Sequence, residues 1–208
     1  MKYTFLFLLI SCLIYFSCDK KEEYYLLPLN NKIELTIVNF NDVDKKQISL
    51  VKTILEERFI IDTILFTERK LPKNSFYSPR NRYRADSILY YLDKEFHTQK
   101  TIAVTTKDIS TSLGKNHDWG ILGLAFSPGK SAVVSNYRIK NKSENSTLEK
   151  ERFSKVVLHE FGHTFGLKHC KNSETCLMRA AEGSVNKIDQ LKDFCDVCRS
   201  KIKKHLKY

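Results

Sequence analysis

Glycine and proline are scarce in this chain, seven and four among 208 residues, which excludes a collagen-like or low-complexity polymer. No internal repeat is visible, so a solenoid or propeller is not indicated. Long hydrophobic runs are missing except for one near the N-terminus, and no other stretch approaches the length needed to cross a bilayer. Acidic residues are in deficit: 24 Asp and Glu face 35 Lys and Arg, a formal net charge of +11. In a cytosolic protein that surplus points to nucleic acid, because clustered cations release counterions from phosphates. Methionine occurs only twice, at Met1 and Met178. What is present, 42% hydrophobic and 12% aromatic residues, suffices to bury one core and is short for two.

The N-terminus, MKYTFLFLLISCLIYFSCDKKEE, has one Lys, an apolar run from Tyr3 to Ser17 and then an abrupt charged stretch. The run is short for a membrane span and is flanked like a signal peptide. A Cys after a small residue at its end resembles the lipobox of bacterial lipoproteins, in which that Cys is acylated and becomes the first residue. Cys12 in LISC fits the lipobox better, but cleavage there leaves Leu13-Ile14-Tyr15-Phe16 at the new terminus. Cys18 is followed directly by charged residues and is the favoured lipidation site; the plainer reading is an ordinary secretory signal. The expected organisation is a lipoprotein-type signal peptide over 1–17, a polar tether over 18–32 and one domain over 33–208. The expected location is outside the cytoplasm, lipid-anchored to a bacterial membrane on its periplasmic or cell-surface side.

Within the domain, short strands alternate with amphipathic helices. IELTIVNF (33–40) reads as a buried strand, and DKKQISLVKTILEERF as a helix opened by Asp44 and Gln47, with Ile48, Val51 and Leu55 on one face. A second strand is expected over 61–68. A second helix carries Ala85, Ile88, Leu89, Leu92 and Phe96, and KTIAVTT (100–106) gives a third strand. Two further strands flank the Ser127-Pro128-Gly129-Lys130 turn. KNKSENSTLEKE (140–151) reads as a polar loop before the next helix.

That next helix contains VVLHEFGHTFGLKHC (156–170), with three of the chain's six histidines. Phe153, Val156, Val157, Phe161 and Phe165 give it a buried face. His159 and His163, four apart, project from one side and reach one zinc together, while Glu160 is free to take a proton rather than ligate. Gly166 can end the helix in a conformation costly to other residues and return His169 as a third ligand. Three nitrogens leave one position open, the arrangement of a catalytic rather than a structural zinc.

Every other cysteine beyond the leader lies just downstream: Cys170, Cys176, Cys195 and Cys198. In an exported protein four cysteines default to two disulfides. Against that, the two-residue gap of Cys195-Asp196-Val197-Cys198 suits two thiolates on one metal.

HEFGHTFGLKH matches the H-E-x-x-H-x-x-G-x-x-H signature of metzincin metalloproteases. A Cys directly after the third His, then Cys176-Leu177-Met178, then the Cys-x-x-Cys, resembles the archaemetzincin family. RADSILYYL, IAVTTKDI and GILGLAFSPGKSAVVSNYRI extend the resemblance upstream. Two spacings depart from that family's pattern: five residues rather than four separate Cys170 from Cys176, and sixteen rather than seventeen separate Met178 from Cys195. The resemblance implies a zincin-like α+β fold, a mixed β-sheet with an active-site helix and a C-terminal four-cysteine zinc knuckle. It implies two zinc ions per chain, a catalytic one on His159, His163 and His169 and a structural one on Cys170, Cys176, Cys195 and Cys198. Met178 would form a hydrophobic floor beneath the histidines. It also implies an edge strand that borders the cleft and pairs with an extended peptide, expected at SAVVSNYR (131–138), where the alternative is an interior strand.

The expected activity is peptide-bond hydrolysis by a zinc-activated water with Glu160 as general base, on a peptide or protein substrate and without nucleic acid. Two other classes stand beside it: a catalytically silent zinc-containing peptide-binding lipoprotein, and a basic zinc-knuckle protein that binds nucleic acid, which the leader opposes. His97, His117 and His205 are expected to be surface or structural histidines, with His117-Asp118-Trp119 in a loop whose Asn116, His117 and Trp119 are open as residues of the cleft rim, and RSKIKKHLKY a solvated or helical tail.

Overall fold

The computed structural model describes residues 33–207. The signal peptide, Cys12, Cys18 and the tether over 18–32 lie outside the described residues.

The chain begins β1 (Ile33–Asn39), α1 (Lys45–Arg58), β2 (Ile61–Glu68). α1 starts where the sequence places its cap: Asp44 Oδ1 accepts from Gln47 N at 2.8 Å. Two short strands follow, β3 (Phe76–Tyr77) and β4 (Arg82–Arg84), then α2 (Ala85–Glu95) and β5 (Lys100–Thr105). Four more strands come in succession, β6 (Ile109–Leu113), β7 (Asn116–Ile121), β8 (Gly123–Ala125) and β9 (Ser131–Ser135). The rest is helical: α3 (Tyr137–Lys140), α4 (Ser146–Thr164), α5 (Val185–Asp189) and α6 (Asp196–Ile202).

The main sheet has the order β2-β1-β5-β9-β8. Its first four strands are parallel, and β8 runs antiparallel to β9 as the edge. The central strands β1, β5 and β9 are buried along nearly their whole length because both faces are covered. Successive residues divide between two cores. Leu35, Ile37, Ile102, Val104, Ala132 and Val134 pack beneath α1 and α4. Val38, Ala103 and Val133 pack with Ile88, Leu89 and Leu92 of α2. The fold is thus the mixed sheet with an active-site helix that the sequence implies.

Three expectations are corrected. SAVVSNYR is not the cleft edge: Ser131–Ser135 are fully buried in β9 between β5 and β8, and the chain then enters α3. The edge is β8. Residues 109–121, where His117-Asp118-Trp119 read as a loop, form the β6/β7 hairpin of a second sheet, ordered β3-β4-β6-β7. The polar 140–151 stretch is also shorter as a loop than expected, since Asn145 Oδ1 accepts from Thr147 N and Leu148 N and starts α4 there. Among the described residues no helix is long and apolar enough to cross a membrane.

A buried lysine ties the sheet to the end of α4. Lys100, 3% exposed, donates to Gly129 O and to Thr164 O, each at 2.7 Å. Burial holds its pKa down at about 7. The lysine thereby fixes the helix C-terminus against the turn between β8 and β9.

Candidate active site

α4 presents the site. Its aromatic residues anchor it: Phe161 meets Phe59 of the α1–β2 junction edge-on, with ring centroids 4.8 Å apart, and Phe165 stacks against Phe59 at 5.4 Å. The helix ends as expected, with Gly166 at φ +84° and its N–H donating to His163 O at 2.8 Å. The chain turns there and brings His169 back.

The three histidines converge. His159 Nε2 and His163 Nε2 lie 3.1 Å apart. The His169 ring centroid is 5.4 Å from that of His159 and 5.0 Å from that of His163. The three potential ligand atoms all lie within 4.8 Å of one another. On the far side of each helical imidazole, Nδ1 faces a carbonyl: Leu177 O at 2.7 Å for His159 and Leu167 O at 2.5 Å for His163. Donation of Nδ1–H to those carbonyls leaves the Nε2 lone pairs directed at the common centre. Burial lowers the pKa of His159 to about 3 and of His163 to about 4. Burial also lowers that of His169. Neutral imidazoles are the form that ligates a metal, so the donor set fits a zinc ion.

Beside them Glu160 is 7% exposed, and burial alone raises its pKa to about 8. Its side chain packs against Gly123 of β8. Met178 is fully buried under the same helix, and a Cβ on Gly162 would come within 2.9 Å of its Sδ. That contact explains the glycine inside HEFGH. It places Met178 against α4 one residue from His163.

The four cysteines also converge, as free thiols. Sγ of Cys170 lies 3.6 Å from that of Cys195, and Sγ of Cys176 lies 3.7 Å from that of Cys198. A zinc–sulfur distance of about 2.3 Å gives a tetrahedron with edges of about 3.8 Å, whereas a disulfide needs about 2.0 Å. Backbone N–H groups of Asn172 and Cys195 donate to Sγ of Cys170 and Cys176, each at 3.4 Å. Burial raises the pKa of the Cys170 thiol, but the Asn172 N–H and its thiol neighbours outweigh that and leave it at about 7. This second donor set fits a closed, structural zinc site despite the altered spacings.

A cleft of about 360 Å³ opens over the histidines and Glu160. Gly123, Leu124 and Ala125 of β8 form one side and Ala180–Gly183, Ile188 and Leu191 the other. Leu113, Trp119 and Ile121 of the hairpin contribute a roof. Trp119 was open as a rim residue in the sequence, and the structure places it in the lining of the cleft; Asn116 lines a neighbouring cavity, which Trp119 also borders. His97 and His117 are exposed and join neither cluster. His205 is buried and stacks on Phe165, with centroids 4.7 Å apart. The hairpin was missed although Gly114-Lys115, between Leu113 and Asn116, carries a two-residue turn signal.

An open three-histidine centre at the floor of a peptide-sized cleft, on a mixed sheet with a free antiparallel edge, defines a zinc metallopeptidase. The model for peptidase family M54 matches residues 80–204. The chain is 32% identical over 169 residues to an archaemetzincin of Nanoarchaeum equitans, covering 81% of this chain and 88% of that one. It is 30% identical over 145 residues to one from Haloquadratum walsbyi, covering 66% and 80%. Crystal structures of archaemetzincins superpose on it: that from Methanopyrus kandleri with a TM-score of 0.72, 27% identity and 86% and 98% coverage. That from Archaeoglobus fulgidus, complexed with malonate, gives 0.69, 29%, 82% and 100%. The chain belongs to the archaemetzincins, peptidase family M54.

Proposed function

We propose that this metallopeptidase hydrolyses peptide bonds with Glu160 as general base, holding one catalytic zinc on His159, His163 and His169 and one structural zinc on Cys170, Cys176, Cys195 and Cys198. The observation that carries the reading is Glu160 itself: a buried carboxyl beside three neutral imidazoles, facing the cleft, with no cation or hydrogen-bond donor among the described residues to account for it. Zinc at the three nitrogens supplies a Lewis acid that polarises a peptide carbonyl and makes water acidic near neutral pH. An extended substrate lies along the free edge of β8, its main chain supplying the missing ladder hydrogen bonds. Glu160 accepts the proton of the attacking water at its carboxylate and delivers it to the leaving amine. Leu177 O and Leu167 O hold the imidazoles in the tautomer and orientation that ligation needs. A silent peptide-binding role leaves this carboxyl without purpose and is not favoured.

The test is Glu160→Gln, which keeps volume and removes the base. With a peptide drawn from a library screen, turnover should fall by a factor of about 10² or more while zinc content and fold stay unchanged. A Glu160→Gln protein that cleaves as fast as wild type overturns the mechanism. A zinc-loaded wild type that binds peptides from a broad library and cleaves none makes the binding module the better reading.

For its location we propose export and anchoring through acylated Cys18, leaving 18–32 as the tether and 33–208 as the peptidase domain. The support is the sequence pattern of the leader. Cys18→Ala should remove the protein from the membrane fraction or block its maturation. Retention of lipid label in that variant, with loss of label in Cys12→Ala, assigns the other cysteine.

A further inference from the structure

The glycine at 123 sits in an ordinary extended strand, and its backbone does not need a glycine. Unlike Gly114, Gly166 and Gly183, it has no positive φ. Its strand pairing is regular, Gly123 opposite Val134 and Leu124 opposite Val133, with Ser135 N donating to Leu122 O at 2.8 Å beside it. A glycine in such a place weakens a strand and marks a close approach. The neighbour is Glu160. A Cβ built on Gly123 would lie 2.5 Å from Glu160 Cγ and 2.8 Å from both Cδ and Oε1.

We propose that Gly123 is a positioning residue for catalysis: its missing side chain is the space in which the Glu160 carboxyl is held against the wall of the cleft. The inference rests on Glu160 being the base. A methyl group at 123 cannot be accommodated without movement, and the partners differ in how freely they move. β8 is fixed by its ladder to β9, and Glu160 Cα is fixed inside α4. The end of the Glu160 side chain is the part free to rotate. Gly123→Ala therefore leaves the fold and the histidines in place and swings the carboxyl out of position. A displacement of about 1 Å at a reacting group is enough for a loss on the order of 10²-fold. The other crowded glycines meet different groups: a Cβ on Gly162 meets Met178, one on Gly120 the Arg138 guanidinium, one on Gly129 Phe126 and one on Gly183 the Gly120 carbonyl.

Two measurements decide it. In the first, Gly123→Ala is compared with wild type and Glu160→Gln on the same library-derived peptide. Gly123→Ala should lower kcat at least tenfold, with KM changed less than threefold and bound zinc unchanged. Turnover like wild type in Gly123→Ala, while Glu160→Gln is inactive, overturns the proposal and leaves the base assignment standing. An active Glu160→Gln removes the assignment and the proposal with it.

The second is a melting cycle without catalysis, on metal-loaded protein. Gly123→Ala should lower the melting temperature when Glu160 is present. Added to Glu160→Ala, which empties the space, the same change should leave the melting temperature unchanged or raise it. If Gly123→Ala destabilises both backgrounds equally, or if the double variant fails to fold, the glycine serves the strand and not the carboxyl, and the proposal fails.

Discussion

The two donor clusters share one stretch of chain, His169 to Met178, and the fold treats them oppositely. The histidine cluster lies at the floor of a cleft, its third member His169 exposed to solvent. Three of the four cysteines are buried, and Cys195 is half-buried at the start of α6. Three neutral nitrogens with a gap beside them leave room for a substrate; four sulfurs at tetrahedral separation leave none. The clusters are also joined. Cys170 follows His169, and Cys176 precedes Leu177, whose carbonyl orients His159. Cys170 N donates to Met178 O at 2.8 Å, closing the loop between them. The closed site thus supports the open one, as outer-shell partners do in metal centres.

The largest effect should come from breaking the closed site. Cys198→Ser removes one thiolate from α6, and because metal affinity there adds directly to folding free energy, stability should fall by several kcal/mol. Thermal unfolding and zinc counting check it: the melting temperature should drop sharply, and zinc at the histidines should bind about 10- to 100-fold more weakly. Should the wild type instead hold one zinc, keep its stability with a chelator and show no free thiols when denatured, the cysteines are disulfide-bonded.

Breaking the open site should be severe for activity and mild for the fold. His163→Ala should lose one zinc per chain and all detectable peptidase activity, while its circular dichroism stays that of the wild type. Unfolding of His163→Ala on the scale of Cys198→Ser would erase the distinction between the two sites.

The metal-free protein sharpens the contrast through pH. His159, His163 and His205 have native pKa values lowered by burial to about 3, 4 and 4, against about 6.5 unfolded. Below pH about 6.5 the unfolded chain binds protons that the native one refuses, so stability falls as pH drops toward 4. His205→Phe should flatten that slope without touching zinc content, which denaturant titrations across pH measure. The smallest effect is expected at the roof. Trp119→Ala trims an aromatic face of the cleft that carries no proton and should raise KM several-fold with kcat little changed; an equal loss in kcat would place Trp119 closer to the reacting atoms.

Much of the site was legible in one segment because helix geometry is local. His159, Glu160 and His163 are related by 3.6 residues per turn, and Gly166 ends the helix within the same stretch. The cysteine quartet was legible as a cluster but not as a pairing, because spacing alone does not separate two disulfides from one tetrahedron. The edge strand was misplaced for a different reason: β9 and β8 are both short and apolar, and what makes β9 interior is its pairing with β5 on its other side, which joins segments distant in the chain and leaves β8 paired with β9 alone. The β6/β7 hairpin was read as a loop because its polar, half-exposed residues gave little apolar alternation.

By itself the sequence determined the residues of the candidate site, their helix, and the alternation of strands and helices, since these follow from patterns within a turn, a strand or a short loop. Tertiary structure alone decided which strand is the edge, which wall Trp119 joins, and why positions 123 and 162 are glycine. Those depend on distances between residues far apart in the chain. Glu160 meets Gly123 across 37 positions, and no local period encodes the missing volume of a side chain.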